Sequence, residues 1–369
     1  MRIAVLTSSR ADYSIYLPLL KAMNSDSFFD LEIIAFGTHV SRNHGYTIDA
    51  IKLDGFKITY AIESLIMGDS PEAIATAMGT TIIKFSSIWS CNKYDLVFVL
   101  GDRYEMFAAV ASTVPFNIPL AHIHGGETTL GAIDDCFRHS ITLMSKYHFT
   151  VAEDYKKRVI ELTGNTKNVY NVGSLSYDNL KTIKYLSIEE FKKQFKIDLS
   201  IPSILITFHP ETVSYEKNEE YITELVLALQ EIKGYQLIIT MPNTDTMGSM
   251  IREKLNKFIS QNIHAIGVES FGTLGYLSCM KHCSFMLGNT SSGFAEAAFF
   301  PKYVINIGDR QKGRIVTSNI INTEIRWEKI VESVKKIITA PVLNNITAYG
   351  TGDAAIKIVE VIKNSFKSC

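Results

Sequence analysis

"RIAVLTSSRADYSIYLPLLKAMNSDSFFDLEIIAFGTH", residues 2–39, decides the fold. "RIAVLTS" is a short, β-branched apolar run closed by turn residues, the pattern of a buried strand. "YSIYLPLLKAMN" follows with helical spacing, and Pro18 is expected near its first turn. "DLEIIAFGTH" reads as the next buried strand. Strand, helix and strand in that order form a βαβ unit, whose strands run parallel.

The alternation continues along the chain. "YDLVFVLGDR" (94–103) and "IPLAHIHGG" (118–126) are strands, separated by the helix "EMFAAVASTVPF" (105–116). A second series includes strands "SILITFHPET" (203–212), "QLIITMPN" (236–243), "SFMLGN" (284–289) and "KYVINIGDR" (302–310). Helices "EEYITELVLALQEI" (219–232), "FGTLGYLSCMKHC" (271–283) and "SGFAEAAFF" (292–300) lie between them. The expectation is an α/β protein of two doubly wound, Rossmann-like domains, 1–172 and 173–369. The charged stretch "IEEFKKQFKIDLSIPS" (188–203) reads as the linker region. The last helix, "AAIKIVEVIKNSF" (354–366), is expected to pack back on the first domain. Ligands of such sheets bind outside the carboxyl ends of the strands, which places the site in a cleft between domains.

The totals agree with this plan. A chain of 369 residues suits two cores, and 46% of it is apolar. Lys and Arg number 37 against 38 Asp and Glu, so no global field draws nucleic acid or an anionic membrane. The five cysteines are odd in number and form no paired C-x-x-C spacing, which argues for a reducing compartment and against structural zinc. No run of 18 apolar residues and no secretory signal pattern is seen, so a soluble cytoplasmic protein is expected.

Every polar cluster of interest follows a strand. "LGNTSSGFAEA" (287–297) offers Thr290, Ser291, Ser292 and Gly293 where a helix begins, a place suited to an anion. An ordinary helix cap by Thr290 or Ser291 explains the same residues. Glu296 could accept hydrogen bonds from ribose hydroxyls. "NIGDRQKGR" adds Arg310, Lys312 and Arg314, the charge-assisted donors a diphosphate wants. Arg10 lies in "SSRADYS", where a surface pair with Asp12 is the plainer account. "LGDR" presents Asp102 and Arg103, with Asp102 either capping the next helix or aimed at a ligand.

"AHIHGGETTLGAIDDCFRH" (121–139) is the densest cluster. His122 and His124 are two apart, so on a strand they face the same way, as two metal ligands would. A catalytic zinc wants a third ligand, and Glu127 beyond Gly125 and Gly126 has no fixed direction. Asp134 with Arg138, and Asp135 with His139, stand at i,i+4 and can pair within a helix. Proton transfer and substrate orientation fit this set better than metal binding does.

Taken together, "TSSRADYS", "VLGDR", "HIHGGE…IDD…RHSITLMSKYH", "FHPET", "LGNTSSG" and "NIGDRQKGR" resemble the hydrolysing UDP-N-acetylglucosamine 2-epimerases of the NeuC type. The resemblance includes relatives acting on UDP-N,N′-diacetylbacillosamine and runs in order from about residue 2 to residue 360. It implies a GT-B-like fold, a UDP-sugar substrate, no cofactor or metal, no nucleic-acid or membrane partner, and a homo-oligomer, dimer or tetramer. The implied reaction removes the C2 proton, eliminates UDP to a 2-acetamidoglycal and adds water. By matching motifs, Arg10, Ser14 and Arg103 would contact the nucleotide, as would Thr290, Ser291, Ser292, Gly293, Glu296 and Arg310. Asp102, His124, Glu127, Asp134 and His209 would carry the chemistry. Many relatives have glutamate where this chain has His124, so His124, Glu127 and Asp102 are each candidates for the C2 base. A histidine titrates near the operating pH, which suits that task. A non-hydrolysing epimerase, a GT-B glycosyltransferase and a catalytically silent nucleotide-sugar sensor are the rival readings. "GTHVSRNHGYT" (37–47) and "MPNTDTMGS" (241–249) resemble the hydrolysing branch.

Overall fold

β1 (Arg2–Thr7) forms because Ile3, Ala4, Val5 and Leu6 have no exposure at all, the pattern of a central parallel strand covered on both faces. The computed structural model describes residues 1–42, 46–66, 70–128, 134–210, 215–241, 248–344 and 346–367. Most of "MPNTDTMGS", and parts of "GTHVSRNHGYT", "FHPET" and the "HIHGGE…IDD" stretch, lie outside those residues.

The first sheet contains β1, β2 (Asp30–Phe36), β3 (Ile58–Ile62), β4 (Leu96–Leu100), β5 (Leu120–Ile123), β6 (Tyr147–Thr150) and β7 (Val169–Asn171). Their order is β3-β2-β1-β4-β5-β6-β7 and every pairing is parallel. Helices α1 (Arg10–Asn24), α2 (Ile48–Leu53), α3 (Pro71–Cys91), α4 (Tyr104–Ala111), α5 (Asp134–Met144), α6 (Glu153–Thr163) and α7 (Leu175–Thr182) connect and flank it. Two apolar layers cover its faces, one around Tyr16, Leu19 and Phe98, the other around Phe36, Phe85 and Trp89.

The second sheet has the order β10-β9-β8-β11-β12-β13, again all parallel. It is built from β8 (Ser203–Thr207), β9 (Gln236–Thr240), β10 (Ala265–Val268), β11 (Phe285–Gly288), β12 (Val304–Ile307) and β13 (Ile320–Thr323). Its helices are α8 (Ile188–Phe195), α9 (Asn218–Glu231), α10 (Gly248–Gln261), α11 (Gly272–His282), α12 (Ala295–Phe299) and α13 (Trp327–Ile338); α14 (Ala354–Lys367) ends the chain.

The compact units are Met1–Lys181 with Ala348–Cys369, and Thr182–Thr347. The division therefore falls at the end of α7 rather than at 172/173. Within the first unit α14 lies against α1, and Asp178 of α7 accepts hydrogen bonds from the Ala354 and Ala355 N–H groups at 3.0 and 2.7 Å. A carboxylate from a distant helix thus caps α14.

Three local expectations are corrected. The first helix starts ahead of "YSIYLPLLKAMN", at Arg10, because Ser9 and Asp12 form a capping box there. Pro18 consequently lies in the helix interior. It has no N–H for the Ser14 carbonyl, which instead accepts the Asn179 side-chain N–H at 2.6 Å. The stretch 188–203 is no linker: a second capping box, Ser187 with Glu190, starts α8, and Phe191 is fully buried in the second unit's core. "SGFAEAAFF" makes only a 3-10 turn, Ser291–Gly293, and the five-residue α12, which ends just before Pro301. Among the described residues no helix is long and apolar enough to cross a membrane.

Candidate functional site

In the first unit, β5 ends at Ile123 and the chain turns sharply. His124 adopts a left-handed backbone, φ 67°, and Gly126 follows at φ 81°. A Cβ on Gly126 would run into the Tyr155 carbonyl, so only glycine lets the turn lie against α6. The left-handed residue takes His124 off the strand. The two histidines therefore do not form the same-face pair their spacing suggests.

His122 is wholly buried, with Nε2 3.0 Å from the Gly101 carbonyl and Nδ1 3.1 Å from the Thr142 hydroxyl. A carbonyl only accepts, so Nε2 carries the proton. Burial pushes this imidazole down to about 3, and it stays neutral. Its role is to tie β5 to the end of β4 and to α5. Among the described residues no three His, Cys, Asp or Glu side chains are placed to share a metal ion.

His124 is part of a different network. Its Nδ1 lies 2.9 Å from Glu127 Oε1, and its Nε2 is buried with no hydrogen-bond partner among the described residues. Glu127 Oε2 stands 3.7 Å from Arg138 Nη1, and Arg138 Nη2 donates to Asp102 Oδ2. The Arg138 side chain is 7% exposed, so this guanidinium is a buried cation between two carboxylates. Arg138 is thus drawn to Asp102 and Glu127 rather than to Asp134, which stands exposed on the first turn of α5. Asp102 does not cap α4: the N-cap is Arg103, without a side-chain cap bond. Arg103 Nη2 donates to Glu105 Oε1 at 2.7 Å.

Arg10 and Ser14 are exposed on the first turns of α1, where the Ser14 hydroxyl donates to the Arg10 carbonyl at 2.8 Å. The surface pair of Arg10 with Asp12 does not form. Asp12 is buried, and its carboxylate accepts from the Ser8 and Ser9 hydroxyls at 2.6 and 2.7 Å.

In the second unit, Asn289 joins three loops. It is fully buried. Its Oδ1 accepts the His209 N–H at 2.7 Å and its Nδ2 donates to the His209 carbonyl at 2.8 Å. Its own carbonyl accepts from Arg310 Nη1 at 3.3 Å and Gln311 Nε2 at 2.9 Å. The loops after β8, β11 and β12 are thereby held together by one amide side chain and one peptide. Gly288, at φ 146°, makes the entry possible, because a Cβ there would collide with the Thr207 carbonyl of β8.

Hydroxyls continue the array: Thr207 meets Thr240 at 2.7 Å, Tyr276 meets Ser292 at 2.8 Å, and Ser292 meets Thr290 at 3.1 Å. Thr290 precedes the 3-10 turn but makes no side-chain cap bond, Ser291 is exposed, and Gly293 is buried against Val304. Glu296 is half-buried; burial pushes its carboxyl up while the Arg314 charge acts against that shift. Beside these loops a cavity of about 610 Å³ is lined by Lys312, Arg314, Asn306 and Glu324 among others. Sequence reading missed Asn289, Tyr276 and Arg138 as organisers. Asn289 sits between Gly288 and Thr290 within a motif already noticed, but its partners are about 80 and about 20 residues away.

Two all-parallel units of this topology, with polar loops at the carboxyl ends of their strands, define a GT-B-like pair of Rossmann-like domains. The crystal structure of UDP-GlcNAc 2-epimerase from Neisseria meningitidis bound to UDP-GlcNAc has the same fold, with a TM-score of 0.79 at 19% identity, over 99% of this chain and 100% of that one. The family described as UDP-N-acetylglucosamine 2-epimerase matches residues 21–363, and the chain belongs to that family. Over 325 residues it is 38% identical to a GDP/UDP-N,N′-diacetylbacillosamine 2-epimerase (hydrolyzing) of Campylobacter jejuni, covering 88% of this chain and 84% of that one. It is 34% identical to the polysialic acid biosynthesis protein P7 of Escherichia coli, over 100% of this chain and 95% of that one.

Proposed function

We propose that this protein is a hydrolysing UDP-N-acetylglucosamine 2-epimerase, releasing UDP and N-acetylmannosamine. The observation that carries the chemistry is the imidazole of His124. Glu127 holds one ring nitrogen, and the other, buried, has no partner among the described residues. A neutral histidine so oriented is a proton acceptor with its lone pair directed by a carboxylate. We assign it the C2 proton. As that C–H bond breaks, the electron pair forms the C1=C2 bond and the C1–O bond to UDP breaks, leaving a 2-acetamidoglycal. Water then delivers hydroxyl to C1 and a proton to C2 on the opposite face.

Glu127 and Asp102, both against Arg138, orient this proton transfer, and Asp134 is assigned the second proton step. The nucleotide is assigned to Thr290, Ser291, Ser292, Gly293, Glu296 and Arg310, with Arg10, Ser14 and Arg103 from the first unit and His209 beside the diphosphate. The reading extends to a cytoplasmic homo-oligomer without cofactor, nucleic-acid or membrane partner.

A second reading, hydrolysis of UDP-N,N′-diacetylbacillosamine, is favoured by the name and 38% identity of the Campylobacter relative. One assay separates the readings. The purified protein is given each UDP-sugar in deuterated water, and UDP, free sugar and C2 deuterium are measured. Stoichiometric UDP with a C2-inverted, C2-deuterated free sugar is expected. Epimerised UDP-sugar without UDP release would indicate the non-hydrolysing reaction. No exchange with either sugar would indicate a sensor, and turnover only with an added acceptor a glycosyltransferase.

A further inference from the structure

Glu105 is the least explained charge in the first unit. It sits in the first turn of α4, its side chain 1% exposed. A helix N-terminus favours an acid there, but that benefit is small beside the cost of taking a carboxylate out of water. Its Oε1 lies 2.7 Å from Arg103 Nη2, while Oε2 is buried with no hydrogen-bond partner among the described residues. Arg103 itself is 41% exposed and lies in the loop after β4, beside β1 at the point where the strand order reverses. The buried Asp12 carboxylate and the Tyr104 phenol share this electrostatic environment, Asp12 acting on Arg103 and Glu105 on Tyr104.

We infer that Glu105 is a positioning residue: it fixes one corner of the Arg103 guanidinium so that the rest of the fork is aimed at the leaving diphosphate. This rests on the function proposed above. Negative charge grows on that diphosphate as the C1–O bond breaks, and a cation already held in place stabilises it more than a mobile one. An exposed arginine without such an anchor samples many rotamers and binds nearly as well in the ground state, so the anchor's effect falls on kcat rather than on KM.

The test is a double-mutant cycle on the full-length protein. Glu105→Gln removes the charge and keeps the shape. It should lower kcat on the order of 10²-fold, the cost of misplacing a reacting contact by about 1 Å, with KM and UDP affinity nearly unchanged. In an Arg103→Ala background the same change should have no further effect. Glu105→Asp keeps the charge but withdraws it by one methylene; it should lower kcat at native Tm, and it decides the matter if the Gln variant does not fold. Native kcat in Glu105→Gln or in a folded Glu105→Asp, or losses that multiply in the Arg103→Ala background, would overturn the inference while the wild type stays active. A wild type that releases UDP from neither sugar would instead overturn the proposed function, and this inference with it.

Discussion

The two units share the strand order that runs outward from β1 and from β8, yet they place opposite kinds of groups at the reversal. In the first, the ends of β4 and β5 lead to Asp102 and Glu127, both beside buried Arg138, with His124 against Glu127, Arg103 against Glu105, and Asp12 buried in the first turn of α1. In the second, the loops after β8, β11 and β12 are tied by the neutral amide of Asn289 and by hydroxyls. Buried charges are costly and strongly directional, and they suit proton transfer. Amides and hydroxyls can be buried once hydrogen-bonded, and they leave a cation such as Arg310 exposed to meet an anion. One topology thus supports a proposed chemical half and a proposed binding half.

The largest effect should come from the chemical half. His124→Gln should reduce C2 exchange and turnover by about 10²–10⁴-fold, leaving UDP affinity close to native. Native exchange in a folded variant would remove the chemistry from this loop. In the binding half the pattern should invert. Arg310→Ala should weaken UDP by about 1.5–3 kcal/mol in calorimetry, the range for hydrogen bonds to charged groups. An unchanged affinity would erase the contrast between the units.

The histidines of the first unit sharpen the comparison through pH. Burial holds His122 down to about 3 and His148 down to about 4. Above about pH 6.5 both are neutral whether the chain is folded or not, so they contribute no pH dependence. Below it the unfolded chain takes up protons that the folded chain refuses. Stability should therefore fall from pH 6.5 toward pH 4, by at most about 1.4 kcal/mol per pH unit for each histidine. Urea midpoints for wild type and His122→Asn over that range test this, since the variant should show the shallower slope. The smallest effect is structural: Asp178→Ala should cost about 0.5–2 kcal/mol of stability through loss of the α14 cap. A variant with native urea stability would show that α14 is held by its apolar face alone.

Much of the fold was legible because strand burial is local information. "RIAVLTS", "YDLVFVLGDR" and "SILITFHPET" announce β1, β4 and β8 through unbroken apolar runs. The strands left unread, β3, β6, β7, β10 and β13, are short or lie toward the sheet edges, where Tyr60, Asn171 and Asn322 dilute the signal. The start of α1 was not read, although Ser9 and Asp12 stand at capping-box spacing, because the sequence reading assigns Asp12 to a surface pair with Arg10.

The sequence by itself determined the two doubly wound units and the loops that carry the polar residues, because periodicity, caps and turn glycines act within a few residues of one another. Which polar residues meet was decided only in three dimensions. Asp134 and Arg138 are ideally spaced to pair on one helix, yet Arg138 goes to Asp102, 36 positions away. His122 and His124 look alike in the chain, yet one is a neutral brace and the other leaves the strand through a left-handed backbone to meet Glu127. The physical reason is that a buried charge takes whichever partner the packing brings near, and parallel strands bring together the ends of segments that are far apart in sequence.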